Sequence, residues 1–302
     1  MTAEMAQAGV ATSGAGPIDD AAEEAERRRL IGVMDDYLAA LFARDPGRIR
    51  AAPQFRYTED GQPLPLGSGT WRTIRARRDG AHYFVDPASG QIEFWGQIDE
   101  MGRPAMIAIR LKVEGRTISE AETIVTREGA FFDPAAVFAD GTAEFHAPIG
   151  SSERASREEL IRVVNLYFDA IELSDGARVP VRGDCRRLVN GVVDSADDPS
   201  HVERGEEHRA LDVARQITEG HYAYIEALHD RRFPIVDPRR GLAVCHLVFD
   251  HPGDLPRAGG DFPIRSPGSM IFTEVFKIIN GRIEEIWALG SNTVPYGSGS
   301  GW

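Results

Sequence analysis

Two segments of the chain carry apolar residues at the spacing of an amphipathic helix. In the first segment, one helical face carries Leu30, Met34, Tyr37, Leu38 and Leu41. The segment Leu160–Ile171 repeats the apolar positions of Leu30–Leu41 at a distance of 130 residues. Apolar residues at three- and four-residue intervals lie along one side of a helix, which can then be buried. We therefore predict two equivalent helices, the second of them capped by Ser156.

Segments in which apolar and polar residues alternate follow each predicted helix. In the first half they are a short stretch near Phe55–Thr58 and three longer ones at Gln91–Ile98, Ala105–Val113 and Thr117–Val125. Alternation with a period of two residues predicts strands. Two related turns, Asp86–Gly90 and Asp237–Gly241, and the dipeptide Asn280-Gly281 predict hairpins between neighbouring strands. Each half is therefore predicted to contain helices followed by an antiparallel meander.

The repeat divides the chain into two copies of one α+β unit. We predict a disordered leader at 1–24, a first copy at 25–128, a linker at 129–155, and a second copy with a C-terminal tail at 156–302. The helices of each copy can cover only one face of its sheet. We therefore expect the other sheet faces to be buried against the partner copy or against a second chain.

Several short motifs give the chain a family resemblance. They are Thr58–Gly61 and Leu64–Trp71 in the first copy, and Asp184–Arg187, Asn190-Gly191, Phe249–Gly253 and Pro295–Trp302 in the second. These motifs resemble a little-characterised group of bacterial and fungal two-copy proteins in the nuclear transport factor 2-like superfamily, also called SnoaL-like. The resemblance implies two tandem cone-shaped copies, each with N-terminal helices packed on a curved antiparallel sheet and a pocket between them. The group usually has a glutamate where this chain has Val189.

Charge and composition argue against several classes of function. The chain has 34 basic and 47 acidic side chains and a net charge of −13, which disfavours a nucleic-acid partner. No apolar run approaches a membrane span, and Cys185 and Cys245 have no metal-ligand spacing around them. The sequence also lacks phosphate-binding, dinucleotide-binding and serine-hydrolase motifs. We therefore expect a cytoplasmic protein that uses neither a metal ion nor an organic cofactor.

Five polar residues are candidates for acid–base catalysis. His246 and Asp250 share one face of a predicted strand in the second copy, and His251 lies on the opposite face. In the first copy the candidates are His82, near the start of a strand, and Glu59, which the resemblance marks as a pocket acid. Desolvation can move the pKa of an imidazole or a carboxyl toward neutral pH, as general acid–base catalysis requires. The alternative is a hydrogen-bonded core histidine or a carboxylate that caps a turn.

Aromatic and polar residues near the predicted pockets are candidates for substrate binding. They are Tyr37, Trp71, Tyr83, Trp95, Tyr167, Arg187, Asn190 and Tyr222. Aromatic rings can stack on an aromatic substrate, and Arg187 can hold a carboxylate or a phenolate. Tyr37 and Tyr167 can instead fill core space, because both lie on the apolar face of their helix. In the same way, Trp71 can be a core anchor and Arg187 the partner of an acidic residue.

The sequence contains no cofactor motif, so we expect acid–base chemistry on a small molecule without a cofactor. We predict a lyase or isomerase that acts on an aromatic or polycyclic substrate. By analogy with formaldehyde-releasing lyases of the same superfamily, one concrete reaction is γ-formaldehyde release from lignin-derived aromatic dimers. The alternative is a non-catalytic ligand-binding or scaffold protein. A denser set of polar groups and extra segments of 21 and 14 residues favour a site in the second copy. The Glu59-to-Trp71 motif keeps the first copy as the alternative, and assembly into a homodimer or a larger oligomer stays open.

Overall fold

A long helix opens the first copy. The computed structural model describes residues 20–127, 142–195, 207–253, 256–257, 260–261, 266–291 and 294–302. In this range the first element is helix α1, Asp20–Ala43. Its first turns are supported by ion pairs from Arg27 to Glu23 and Glu24, one helical turn away. Residues 20–24, which the sequence pattern assigns to a leader, are therefore helical, and the rest of that leader lies outside the described residues.

Six strands form the sheet of the first copy. They are β1 (Ala51–Glu59), β2 (Gln62–Pro63), β3 (Ile74–Asp86), β4 (Gln91–Glu100), β5 (Arg103–Glu114) and β6 (Thr117–Thr126). A 3₁₀ turn, Pro46–Arg48, joins α1 to β1, and a single helical turn, α2 (Thr70–Thr73), precedes β3. The three long strands predicted from the alternating pattern are confirmed as β4, β5 and β6.

The second copy repeats this order. A short helix, α3 (Thr142–His146), precedes it in the segment predicted as the linker. The elements of the second copy are α4 (Arg157–Leu173), β7 (Val181–Val189), β8 (Val192–Ser195), α5 (Val213–Thr218), β9 (Ala227–Asp237), β10 (Leu242–His251), β11 (Pro256–Arg257), β12 (Gly260–Asp261), β13 (Gly268–Ile279) and β14 (Arg282–Gly290). The Ser156 hydroxyl accepts a hydrogen bond from the Glu159 amide at 3.2 Å, which confirms the predicted cap of α4. Asn280 and Gly281 both have positive φ, as a two-residue hairpin turn between β13 and β14 requires.

The two large sheets have the same topology. Their strand orders are β2-β1-β6-β5-β4-β3 and β8-β7-β14-β13-β10-β9. The prediction of two tandem α+β copies is confirmed, but the prediction of purely antiparallel sheets needs a correction. β1 is parallel to β6 and β7 is parallel to β14, while the remaining large-sheet pairs are antiparallel. No hairpin joins either parallel pair, so turn geometry does not fix their relative direction.

The long helices α1 and α4 each pack on one face of their own sheet and enclose a core that we call a cone. In the first cone, α1 contributes Leu30, Met34, Tyr37 and Leu38, and the sheet contributes Ile92, Phe94 and Ile109. In the second cone, α4 contributes Leu160, Val164 and Phe168, and the sheet contributes Ala243, Leu247 and Phe276. Register shifts mark bulges in the edge strands β3 and β9, and bulges bend a sheet around its contents.

The opposite faces of the two sheets pack directly against each other. This inter-sheet layer contains Phe84, Trp95, Ala108 and Ile124 from the first sheet and Ile235, Val244, Val248, Val275 and Trp287 from the second. Each large apolar side chain buried in this way contributes about 1.5–3 kcal/mol relative to exposure. The molecule is thus a four-layer arrangement of helix, sheet, sheet and helix. The expectation that the uncovered sheet faces are buried against the partner copy is confirmed.

Two reciprocal ion pairs join the copies. Arg27 on α1 donates to the Val85 carbonyl of its own copy at 3.1 Å and pairs with Asp237 of the second copy at 2.8 Å. Arg157 on α4 donates to the carbonyl of β9 residue Val236 at 2.6 Å and pairs with Asp86 of the first copy at 2.6 Å. Each contact is the counterpart of the other under the sequence repeat. The copies are therefore related like the subunits of a two-fold symmetric dimer.

We expect Arg157→Met to lower the free energy of unfolding by about 1–2 kcal/mol, because it removes two charge-assisted hydrogen bonds from buried Asp86. Denaturant titration followed by tryptophan fluorescence measures the change. Arg162→Met on the same helix is the control, since its pair with Glu159 is exposed and contributes at most about 0.5 kcal/mol. Equal losses in the two variants would show that the inter-copy pair adds no stability.

Helix α3 and the C-terminal tail are each held by side-chain contacts. The ammonium group of Lys277 donates to the carbonyl oxygens of Phe145, Ala147 and Arg240, and so anchors the end of α3 on the second sheet. At the C-terminus, Trp302 lies over the guanidinium of Arg56 and donates to the hydroxyl of a β1 threonine at 2.9 Å. The tail therefore packs on the first copy. None of the described helices is long and apolar enough to cross a membrane.

Candidate functional site

A cavity opens into the second cone beside α4. Its interior offers about 50 Å³ to a water-sized molecule, and the space out to and including its open mouth amounts to about 620 Å³. Its apolar wall includes Ile171, Val192, Ile225, Phe249, Met270 and Phe272. Small-molecule sites have mostly apolar walls and a few fixed polar groups. The wall of this cavity has that composition.

Three polar side chains meet in the wall of this cavity. Arg187 on β7 donates through Nη1 to Asp194 Oδ2 on β8 at 2.8 Å and to the Tyr222 hydroxyl oxygen at 2.8 Å. The Tyr222 hydroxyl also lies 3.0 Å from Asp194 Oδ2 and 2.8 Å from the side-chain oxygen of Gln216. All four side chains are buried, where charge-assisted hydrogen bonds are strong. The wall of the cavity is therefore charged where these side chains meet and apolar elsewhere.

Glu274 on β13 lies deeper in the second cone. Its Oε1 is 3.6 Å from Nη2 of Arg187, so Arg187 links this carboxyl to the cavity wall. The side chain is fully buried, and neither oxygen accepts a hydrogen bond from the described residues. Burial raises the pKa of Glu274 to about 7, although Arg187 opposes the rise. A carboxyl with this pKa can both hold and release a proton at neutral pH.

The hydroxyl of Tyr167 on α4 faces the same charges. It is fully buried and makes no hydrogen bond within the described part of the chain. Burial raises its pKa well above the ordinary value, and the charges that act on it include Arg187 and Glu274. An unpaired buried polar group costs about 1–3 kcal/mol. Two such groups lie in this cone, and a ligand or an ordered water would complete their hydrogen bonds.

The first cone has no carboxyl at the position of Glu274. In the first sheet Ile109 pairs with Phe94, and at the matching register of the second sheet Glu274 pairs with Cys245. Similarly, Tyr57 stands on β1 where β7 carries Arg187. Glu274 and Arg187 are therefore specific to the second copy, whereas Tyr167 has a counterpart in Tyr37 and the strand framework is shared.

Trp71 fills part of the first cone. Its side chain is buried among the residues of that core, and its ring meets Tyr37 edge-on with 5.4 Å between the ring centres. The sequence left substrate binding and core packing open for Trp71 and Tyr37. The structure places both residues in core positions. In the second cone the cavity has Tyr222 in its wall, and among the described residues no tryptophan lines it.

Glu59 is held by groups of the first copy. Its Oε2 accepts hydrogen bonds from the Tyr57 hydroxyl at 2.9 Å and from the Thr70 amide at 2.8 Å, and Oε1 lies 3.3 Å from Arg127. These contacts fix the short helix α2 against β1. The neighbouring residue Asp60 accepts a hydrogen bond from the backbone of β6, and burial raises its pKa to about 7. The contacts of Glu59 therefore stabilise the fold of the first copy.

His246 faces the first sheet and not the second cone. Its Nε2 lies 2.7 Å from Glu93 Oε2, and its Nδ1 lies 3.1 Å from Glu122 Oε1. Glu93 also accepts hydrogen bonds from Trp95 Nε1 at 2.6 Å and from the Thr273 hydroxyl at 2.7 Å. Burial alone lowers the pKa of His246, but the two carboxylates raise it above the ordinary value. The expectation that His246 and Trp95 point into a pocket is therefore corrected: both lie in the inter-sheet layer.

Three other predicted residues lie away from this cavity wall. Asp250 accepts a hydrogen bond from the Ser269 hydroxyl at 2.5 Å and lies 3.1 Å from Nε2 of His229, so it ties together the ends of three strands. His251 is fully buried at the end of β10, and burial lowers its pKa. The side-chain oxygen of Asn190 accepts a hydrogen bond at 2.9 Å from the last amide of β14. These positions hold strand ends and do not line the cavity.

His82 and Tyr83 also lie elsewhere. Nδ1 of His82 is 3.1 Å from Nε2 of His146 on α3, and the two rings stack with 5.4 Å between their centres. The Tyr83 hydroxyl donates to Asp35 on α1 at 2.7 Å, and burial together with this carboxylate raises its pKa to about 12. His82 is thus part of the contact between α3 and the sheets, and Tyr83 joins its strand to α1.

The structure brings together Tyr167, Arg187 and Tyr222 from the predicted set. Sequence reasoning missed Glu274 and Asp194, which complete the site. The signal for Glu274 was present, because it is an acidic residue within the otherwise apolar strand β13. Asp194 stands in the four-residue strand β8, which is too short to show a pattern. Parts of the extra segments of the second copy, residues 196–206, 254–255, 258–259 and 262–265, lie outside the described residues.

Within the described ranges, no group of three or more His, Cys, Asp or Glu side chains is arranged to hold a metal ion. Cys185 and Cys245 are both buried and unpaired in a disulfide, and burial raises the pKa of each thiol. A buried thiol of this kind is a poor nucleophile.

Comparisons with known proteins match the second copy to a family without an assigned activity. A family model described as a domain of unknown function, DUF8021, matches residues 153–290. None of the curated proteins matches the chain significantly.

Solved structures resemble the chain at low identity. A nuclear transport factor 2-like protein of unknown function from Cytophaga hutchinsonii is 10% identical, covers 33% of this chain and 88% of its own, and has a TM-score of 0.27. A protein of unknown function with a cystatin-like fold from Methylobium petroleophilum is 15% identical, with 48% and 83% covered and a TM-score of 0.30. IdmH from Streptomyces antibioticus, whose assignment as a polyketide cyclase is itself provisional, is 12% identical, with 43% and 91% covered and a TM-score of 0.29.

Proposed function

We propose that the second cone is the active site of a small-molecule enzyme of the nuclear transport factor 2-like type that works by acid–base catalysis without a cofactor. The observation that carries this proposal is the buried network of Arg187, Asp194 and Tyr222 in the wall of an apolar cavity. Proton transfer, as in an isomerisation, a cyclisation or an elimination, requires a base beside a group that stabilises a developing oxyanion. The network supplies both.

In this proposal a substrate carbonyl oxygen accepts a hydrogen bond from Tyr222 or from the guanidinium of Arg187. The Asp194 carboxylate, 3.0 Å from the Tyr222 hydroxyl, takes the proton from the adjacent carbon. Glu274 holds the other side of Arg187. Since the pKa of Glu274 is about 7, its charge state sets how much of the Arg187 charge is left to stabilise the oxyanion.

The walls favour an aromatic or polycyclic substrate. Phe249 and Phe272 stand together in the cavity wall with 4.7 Å between their ring centres, and Tyr224 lies in the same wall. Aromatic rings of this kind pack on flat apolar ligands. Release of formaldehyde from an aromatic dimer with a γ-hydroxymethyl group is one reaction of the proposed class. A base takes the hydroxyl proton, the carbon–carbon bond breaks, and its electron pair forms a carbon–carbon double bond as a leaving group departs from the α carbon of the dimer.

Hydrogen–deuterium exchange tests the proposal. We expect the wild-type protein to accelerate exchange of the α-protons of 2-tetralone, a bicyclic ketone, in deuterated buffer observed by NMR. Asp194→Asn should lower the rate by a factor of about 100 or more, as loss of a general base does. A phenolic dimer with a γ-hydroxymethyl group, assayed for released formaldehyde, tests the narrower reaction.

Asp60→Asn is the matched control, because Asp60 is a half-buried carboxyl of the first copy whose pKa is also about 7. It should leave the exchange rate unchanged. An Asp194→Asn protein as active as the wild type would contradict the assignment of the base. Saturable binding of 2-tetralone without any exchange would instead favour a non-catalytic ligand-binding protein.

A further inference from the structure

A buried charged cluster lies in the inter-sheet layer directly behind the proposed site. It contains Glu93, Glu122 and Arg110 from the first copy and His246 and Arg232 from the second. Arg110 pairs with Glu122 at 2.8 Å, and Arg232 reaches the same carboxylate across the interface at 2.6 Å. The side chains of Glu93 and Glu122 are almost fully buried. The partners of these two buried carboxylates of the first copy therefore come from both copies.

The strand register places this cluster next to Glu274. His246 on β10 pairs with Thr273 on β13, and both contact Glu93 of the first copy. Glu274 is the next residue after Thr273, and consecutive residues of a strand point to opposite faces of the sheet. Glu93 therefore contacts β10 and β13 on one face of the second sheet, and Glu274 lies on the opposite face of β13, toward the second cone.

We infer that Glu93 of the first copy is a positioning residue for the site of the second copy, acting on Glu274 through Thr273 and His246. This inference rests on the proposed function, since it concerns a residue of the proposed site. It gives the first copy a defined role in that site. Although its own cone contains Ile109 at the matching position, the first copy supplies the charge that fixes the strands behind the catalytic groups.

The electrostatic environment of Glu274 makes the effect measurable. The charged and titratable groups that face Glu274 from the packed elements are Arg187 on β7, Asp194 on β8, Tyr167 on α4 and Cys245 on β10. Neutralising Glu93 leaves an excess positive charge on the other face of the sheet. Positive charge near a carboxyl favours its ionised form and lowers its pKa, and negative charge does the reverse.

The test is the titration of Glu274 in the full-length protein labelled with ¹³C at the glutamate carboxyl carbons, followed by NMR. The signal is assigned by its loss in Glu274→Gln. We expect a wild-type midpoint near pH 7. In Glu93→Gln the midpoint should fall by about one pH unit, and in His246→Gln, which removes a positive charge, it should rise by a similar amount.

Asp86→Asn is the matched control, because it neutralises another buried inter-copy carboxylate, at the hairpin where Arg157 holds it. Its Glu274 midpoint should equal that of the wild type. Unchanged midpoints in Glu93→Gln and His246→Gln would overturn the inference, and so would an equal shift in Asp86→Asn, which would indicate general loosening. If one of the two variants, Glu93→Gln or His246→Gln, does not fold, the direction of the midpoint shift in the other variant still tests the inference.

The proposed function fails in a different way. If 2-tetralone exchange survives Asp194→Asn, the second cone is not the site, whatever the titration of Glu274 shows. If exchange requires Asp194 while the midpoint of Glu274 does not respond to Glu93, the site stands and only the role of Glu93 is rejected.

Discussion

His246→Ala is expected to lower the free energy of unfolding by about 3–5 kcal/mol at pH 6, because it leaves two buried carboxylates without their shared positive partner. Those carboxylates, Glu93 and Glu122, stay between the sheets in the variant. Denaturant titration monitored by fluorescence and circular dichroism measures the loss. His229→Ala is the control, since this histidine pairs with Asp250 in a partly exposed position and should contribute about 1 kcal/mol or less.

The loss of unfolding free energy in His246→Ala should become smaller as the pH rises. The folded-state pKa of His246 is raised by Glu93 and Glu122 against the effect of burial, so the protonated ring stabilises the fold. That contribution is complete below the unfolded-state pKa of about 6.5 and disappears as the pH rises through the raised folded-state pKa. The difference between wild type and His246→Ala should therefore shrink from pH 6 to pH 9. A difference that stays constant with pH would show that His246 is not charged in the folded protein.

Trp71→Ala should also destabilise the protein by about 3–5 kcal/mol, because it empties the centre of the first cone. The tryptophan side chain is 2% exposed, and the short helix α2 that carries it is held by Glu59. The variant should therefore keep its backbone and gain a cavity. Thermal unfolding followed by circular dichroism gives the change in stability.

Indole provides a second measurement on this variant. An apolar cavity of tryptophan size binds a matching apolar molecule, and a ligand that binds only the folded state raises its stability. Saturating indole should raise the melting temperature of Trp71→Ala and leave that of the wild type unchanged. A loss below about 1 kcal/mol, together with no effect of indole, would show that Trp71 is not a packing residue of the first cone.

The fold was largely predictable because its signals are local. Helical spacing located α1 and α4, alternation located β4 to β6, and the repeat showed that both halves share one topology. The parallel pairs β1–β6 and β7–β14 could not be predicted, since each joins strands that are far apart in sequence and no turn determines their direction.

The site was only partly predictable, because both faces of the central strands are apolar. Along β10 all residues are buried, so alternation showed that His246 and Asp250 share a face but not that this face meets the other sheet. In contrast, Tyr167 and Arg187 were found because a polar group in an apolar element is conspicuous in a sequence. Glu274 gives the same signal, but its meaning depends on the comparison with Ile109, which only the register of the two sheets supplies.

The reciprocal pairs of Arg27 with Asp237 and Arg157 with Asp86 have a consequence for how the two halves associate. Two separate subunits at micromolar concentration must bind tightly to stay together, whereas two halves of one chain meet at an effective concentration of about 1 mM. That thousandfold difference corresponds to about 4 kcal/mol of binding free energy that the interface does not have to supply. A tethered interface can therefore tolerate the desolvation of Glu93 and Glu122, and each half is free to diverge at positions that identical subunits would have to share.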